Sequence, residues 1–107
     1  MKEIHFKNNC LYITPTQQNT EIIINKIFNI VKNSNFSKFQ INLSNFNMFE
    51  TVKIVTMICT KGLILDITKQ YEFIVENELI ANHIKPFALS NFKISICEES
   101  LTNTMAN

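Results

Sequence analysis

Few side chains in this sequence are of a type and spacing that could do chemistry. The most suggestive pair is Glu50 and Thr51, which follow an alternating run from Phe39 to Leu43 and a polar link, Ser44-Asn45-Phe46-Asn47. After that link the apolar period changes from two to three or four, with Met48, Val52, Val55, Ile58 and Cys59 on one helical face. The switch marks a strand running into a helix. The start of such a helix is where α/β proteins usually keep their site, because its unpaired N–H groups and macrodipole favour anions. Thr51 puts a hydroxyl in that turn, where an added anion would leave the helix barely disturbed. The competing role is local: Asn47 as N-cap, Glu50 at N3 completing a variant of the capping box, and Thr51 an ordinary first-turn residue.

The other reactive side chains do not converge. Cys10, Cys59 and Cys97 are widely spaced and set among apolar residues, with no CxxC pair, which reads as three small buried hydrophobes in a reducing compartment. His5 belongs to a strand and His83 sits beside Lys85 and Pro86, so neither has a visible metal or acid–base partner. No cofactor is expected. Phe46 and Phe49 are more informative: if Met48 faces the core, Phe49 points elsewhere, and with Phe46 it would leave an apolar patch beside Thr51.

Composition narrows the classes of partner. The 107 residues suit one domain, residues 1–107, with 98–107 a short terminal helix or frayed tail. Apolar residues are 46% of the chain and charged ones 18%, a globular balance. A net charge of +1 with no arginine supplies neither a bulk field nor the bidentate side chain suited to phosphate or guanine, so nucleic acid is not an expected partner. No stretch approaches the ~20 apolar residues of a membrane span, and the N-terminus lacks an apolar targeting core, so a cytoplasmic location is expected.

The elements that must position the site follow in order. Two alternating runs, Glu3 to Lys7 and Cys10 to Thr14, flank Asn8-Asn9 and predict a type I′ hairpin. Thr14-Pro15-Thr16-Gln17 reads as a helix start, with Asn19 or Thr20 as a later cap, and Ile23, Ile27, Ile30 and Val31 form the apolar stripe. After the central strand and helix, Gly62 reads as a helix C′ residue, and 63–68 could extend the helix or run extended. Tyr71 to Glu76 is a strand with Phe73 and Val75 on one face and Tyr71 nearer the rim. Asn77 caps a helix whose Ile80, His83, Ile84 and Phe87 face the core, and which Pro86 should kink or restart. Phe92 to Cys97 is the last strand. The expected architecture is α/β: a mixed sheet of four or five strands, an antiparallel hairpin leading into parallel βα units, helices mainly on one face and the Cys10–Thr14 strand central.

This order resembles the STAS domain, the fold of bacterial anti-sigma-factor antagonists, over nearly the whole chain. The likeness rests on the hairpin, the Thr-rich turn before the first helix, the Phe39–Lys61 unit and the final Phe87–Ile96 run. The family signature is a strand ending in Leu, about six residues, then Asp-Ser-Ser-Gly-Leu opening a helix. Here Leu43 is followed by Ser44 to Phe49 and then Glu50-Thr51-Val52-Lys53-Ile54, so Glu50 falls on the Asp and Thr51 on the phosphorylated Ser. The resemblance thus implies Thr51 as a phosphoacceptor candidate, where a phosphate of about two negative charges would repel a docked partner. Val52 and Lys53 depart from Ser-Gly, placing a Cβ and a long cation where a partner's backbone would approach. The resemblance implies a non-enzymatic docking module for a protein partner, an anti-sigma kinase or other regulator, bound through Phe46, Phe49, Glu50, Thr51 and Lys53. The alternative it leaves open is a self-associating scaffold, for instance a homodimer, without a phospho-switch.

Overall fold

The computed structural model describes residues 4–16, 19–60, 68–87 and 91–97. Strands β1 (Ile4–Lys7) and β2 (Cys10–Ile13) form the N-terminal hairpin. Both turn residues, Asn8 and Asn9, hold positive φ, 52° and 64°, as a type I′ turn requires and as Asn tolerates better than most residues. Helix α1 (Thr20–Lys32), strand β3 (Lys38–Asn42), helix α2 (Met48–Thr60), strand β4 (Gln70–Val75), helix α3 (Glu78–Ile84) and strand β5 (Phe92–Ile96) follow, with a 3-10 turn at Lys85–Phe87. That turn is the restart Pro86 imposes by lacking an N–H.

Among the described residues the sheet has the order β1-β2-β3-β4-β5, with β1 antiparallel to β2 and all later pairs parallel. The middle strand is therefore β3, not the expected Cys10–Thr14 strand. With β1 on one side of β2 and β3 on the other, each later crossover steps the same way, and the sheet grows away from the hairpin.

Alternation along the strands separates two faces. Leu11 and Ile13, Phe39 and Ile41, and Tyr71, Phe73 and Val75 are buried beneath the helices in one core with Ile23, Ile27, Ile54, Val55 and Ile84. Tyr71 lies inside rather than at the rim: it is buried, and its ring stacks on Phe39 with centroids 5.5 Å apart. The opposite face carries a row that crosses every strand, His5, Tyr12, Gln40, Glu72 and Lys93 in register, and no described helix covers it.

Two helices begin or face differently from the sequence expectation. Helix α1 starts at Thr20, because Asn19 is the cap and its side chain accepts the Glu21 N–H at 2.8 Å. Thr14, Pro15 and Thr16 are not helical, and Gln17 lies outside the described residues. On α3 the buried face is Ile80, Ala81 and Ile84, while His83 is exposed with Nδ1 2.9 Å from the Leu79 carbonyl oxygen. At 100° per residue, position 83 falls well to one side of the 80-81-84 stripe, and the small Ala81 takes the place at the sheet. The side chain of Phe87, Gly62, most of the 63–68 segment and the 98–107 tail lie outside the described residues.

Candidate functional site

The first turn of α2 is built from the strand that precedes it. The Leu43 N–H reaches the Ile74 carbonyl at 2.7 Å, carrying the sheet one residue beyond β3. The chain then turns: the Ser44 N–H bonds the Asn42 side chain at 3.0 Å and the Phe46 N–H bonds the Leu43 carbonyl at 3.1 Å. Asn47 and Glu50 close a reciprocal cap. The Glu50 N–H donates to Asn47 Oδ1 at 2.8 Å, and the Asn47 N–H donates to Glu50 Oε1 at 3.1 Å. This is the capping-box geometry with Asn in the Ser/Thr place, and it fixes the angle at which α2 leaves the turn.

Thr51 occupies the next position, and its surroundings are internal. It is 0% exposed, its N–H makes the first helical bond to the Asn47 carbonyl at 2.9 Å, and its hydroxyl donates to the Phe46 carbonyl at 3.4 Å. Position N4 commonly carries an apolar residue stapled to N′. Here N′ is the buried Phe46, and Thr51 meets its backbone through a hydroxyl. The buried stripe of α2 is accordingly Thr51, Ile54, Val55 and Ile58, with Met48, Val52 and Cys59 only partly buried. The helix is thus rolled toward Thr51 and Ile54 relative to the stripe read from the sequence.

Of the expected partner-binding residues, the structure puts Phe49 and Lys53 at the surface, leaves Glu50 half-buried, and places Phe46 and Thr51 inside. Phe49 is 78% exposed and Phe46 only 1%. The two rings therefore do not form a joint surface patch: Phe49 stands out alone on a turn held by two side-chain caps. The Thr51 hydroxyl is closed to solvent in this conformation, and the nearest helical N–H groups, on Glu50 and on Thr51 itself, already have acceptors.

Among the described residues no group of three or more His, Cys, Asp or Glu side chains could hold a metal ion, and no helix is long and apolar enough to cross a membrane. Cys10, Cys59 and Cys97 are free thiols, each partly buried. Burial pushes the Cys59 thiol above its ordinary value, which disfavours the thiolate a nucleophile would need.

Reading the sequence for motifs missed one cluster, on the uncovered sheet face. The Glu72 carboxylate accepts a bond from Gln40 Nε2 at 3.1 Å and another from the Ser95 hydroxyl, with Lys93 alongside. Its partial burial alone would raise the carboxyl, but the bonds from Ser95 and Gln40 and the charge of Lys93 hold it below the usual carboxylate range. Nearby, the charge of Cys10 raises the Tyr12 phenol. The only sequence signal was the polar alternate positions of the three parallel strands, which identifies no partner until the register is known. Gln40 and Ser95 satisfy the Glu72 carboxylate from either side, so the cluster reads as a cross-strand tie.

No family model matches the chain, and no curated protein matches it. Among solved structures it is similar to a serine-to-glutamate variant of RsbS from Moorella thermoacetica, with a TM-score of 0.61 over 97% of each chain at 9% identity. The fold is of STAS type. A second solved structure, the protein TM1081 determined by NMR, aligns over 100% of this chain and 90% of its own at 17% identity, with a TM-score of 0.49.

Proposed function

We propose that the chain is a non-enzymatic regulatory module that docks a protein partner through the first turn of α2, as the resemblance to anti-sigma-factor antagonists implies. The observation that carries this is Phe49. A large aromatic ring 78% exposed at the tip of a doubly capped turn is a preorganised anchor, flanked by Glu50 and Lys53 as polar rim. The STAS-type fold, shared with the RsbS variant, supports the regulatory class, and a cytoplasmic location goes with it.

The partner class is an anti-sigma kinase or a related regulator. Burial of Thr51 favours docking without a phosphorylation switch, since a kinase would have to open the capped turn before reaching the hydroxyl. Titrating an anti-sigma-type kinase domain against wild type, Phe49→Ser and Lys53→Glu tests the surface. Truncating a central aromatic anchor costs about 2 kcal/mol or more, so Phe49→Ser should bind at least thirtyfold more weakly. Equal affinity for wild type and Phe49→Ser would remove this turn from the interface. The self-associating scaffold would then be the better reading.

A further inference from the structure

The sheet face that no described helix covers is basic. Lys7, Lys38 and Lys93 are exposed on it, because their neighbours Phe6, Phe39 and Phe92 belong to the helix-covered side. Among the described strand residues Glu72 is the only carboxylate, and its two oxygens are taken by Gln40 and Ser95.

The three lysines form a line across the sheet. Lys7 pairs with Cys10 and Cys10 with Lys38, so one strand separates the first two cations. Lys38 pairs with Gln70, while Lys93 pairs with Glu72, two residues further along β4. At ~4.8 Å between strands and ~3.3 Å per residue, the successive Cα separations are roughly 10 and 12 Å. A groove of about 420 Å³ takes in Lys38 and Lys93 together with Cys10, Gln70, Glu72 and Asn91.

The chemistry of this face discriminates among anionic occupants. Lysine is a compact, hydrated charge suited to single carboxylates, and the planar fork that grips phosphate is missing because the chain has no arginine. His5 and Tyr12 stack on each other with centroids 4.9 Å apart, so each ring covers one face of the other and they make a poor platform for bases. A lipid surface would take up inserted apolar side chains, and the half-buried Ile74 is the only large aliphatic one on the described strands of this face.

We propose that this face docks an acidic segment of a partner protein, crossing the strands in the polyproline II form with a carboxylate at every third residue. In that conformation every third side chain lies on one side, about 9 Å apart, and the flexible stems of the lysines take up the difference from their own spacing. Glu72, ionised and tied down on the strand between Lys38 and Lys93, repels a carboxylate from the middle of the groove and so sets where the acidic side chains fall. This surface is separate from the α2 turn.

Fluorescence anisotropy on the full chain with a labelled peptide of four Glu-Pro-Pro repeats tests the proposal, at about 20 mM salt, where the screening length exceeds the lysine spacing. Saturable binding is expected, weakening several-fold at about 150 mM salt. Lys38→Glu should bind at least about fivefold more weakly and Lys38→Gln about twofold, with unchanged circular dichroism spectra. Lys93→Gln, on a different strand, should lose about as much as Lys38→Gln and carries the test if Lys38→Glu folds poorly. Lys53→Glu makes the same change of net charge on α2, and it should bind the peptide as wild type does, as should Phe49→Ser. Absence of saturable binding, wild-type affinity in Lys38→Glu and Lys93→Gln, or an equal loss in Lys53→Glu would overturn the proposal. So would equal affinity for a peptide with its four Glu in one block, or tighter binding of a single-stranded oligonucleotide of equal charge or of vesicles carrying an anionic lipid.

Discussion

Replacing Thr51 by Glu, the natural mimic of a phosphorylated residue, should unfold the first turn of α2 rather than switch it. The side chain is 0% exposed, and its hydroxyl bonds only the Phe46 carbonyl among the bonds resolved around it. A longer side chain must be fitted there, and overpacking of this kind costs about 1–3 kcal/mol. Thr51→Gln measures that cost alone, because it adds the same length without charge. The additional cost of the Glu charge has a ceiling. A buried carboxyl can escape desolvation by taking up a proton, which from an unfolded pKa of about 4.3 costs roughly 3.7 kcal/mol at pH 7.

Thr51→Glu should therefore lie below Thr51→Gln by about 2–4 kcal/mol at pH 7, a large part of a typical stability of 5–15 kcal/mol. The pH dependence has a definite sign. Burial raises the folded-state pKa of the introduced carboxyl above its unfolded value. Relative to Thr51→Gln, its penalty is absent below the unfolded pKa of about 4.3 and grows as the pH rises through the window up to the folded value. Urea unfolding of the two variants and wild type at several pH values between about 4 and 7 supplies the numbers. If Thr51→Glu unfolds within about 0.5 kcal/mol of wild type at pH 7, Thr51 is a surface residue and its placement in the core is mistaken.

Four further outcomes follow from the same structure. Ile27→Ala, at a 0% exposed position beneath the centre of α1, should lose about 2–5 kcal/mol in urea unfolding. Asn47→Ala should cost about 0.5–2 kcal/mol, and Glu50→Ala should add less in the Asn47→Ala background than alone, because each side chain caps the other's backbone. Glu72, with its folded pKa lowered, contributes stability that is present above the unfolded carboxylate range and lost as the pH falls through the folded value; Glu72→Gln should flatten that acid limb in unfolding curves taken from pH 6 down to about 2. Cys59 in native protein should react with a thiol reagent more slowly than in urea, and non-reducing mass spectrometry should find no disulfide among Cys10, Cys59 and Cys97.

Local interactions made much of this molecule legible in its sequence. The Asn8-Asn9 turn, the Asn47–Glu50 and Asn77 caps and the 3-10 restart at Pro86 depend on residues at most four apart, and each forms where the spacing implies. The strands likewise follow from alternation, because one face of the sheet is buried and the other is not. Where two local signals competed, the sequence did not rank them: Thr14-Pro15-Thr16 and Asn19 both read as caps, and the helix took Asn19.

Rotation and register were decided only by the tertiary structure. Helix α2 carries apolar residues around much of its circumference, so its period admits several orientations against the sheet. Packing into the shared core chose the one that draws Thr51 and Ile54 inward and turns Phe49 out. The position of Thr51 in a motif could not disclose its burial, since a hydroxyl at N4 is as compatible with solvent as with the Phe46 carbonyl. The Gln40–Glu72–Ser95 tie was invisible for a related reason. Its members lie up to 55 positions apart, and only strand register brings them together. The exposure of Phe6 was equally undecided, because alternation assigns a residue to a face, and only the extent of the helix layer determines whether that face is covered at the edge.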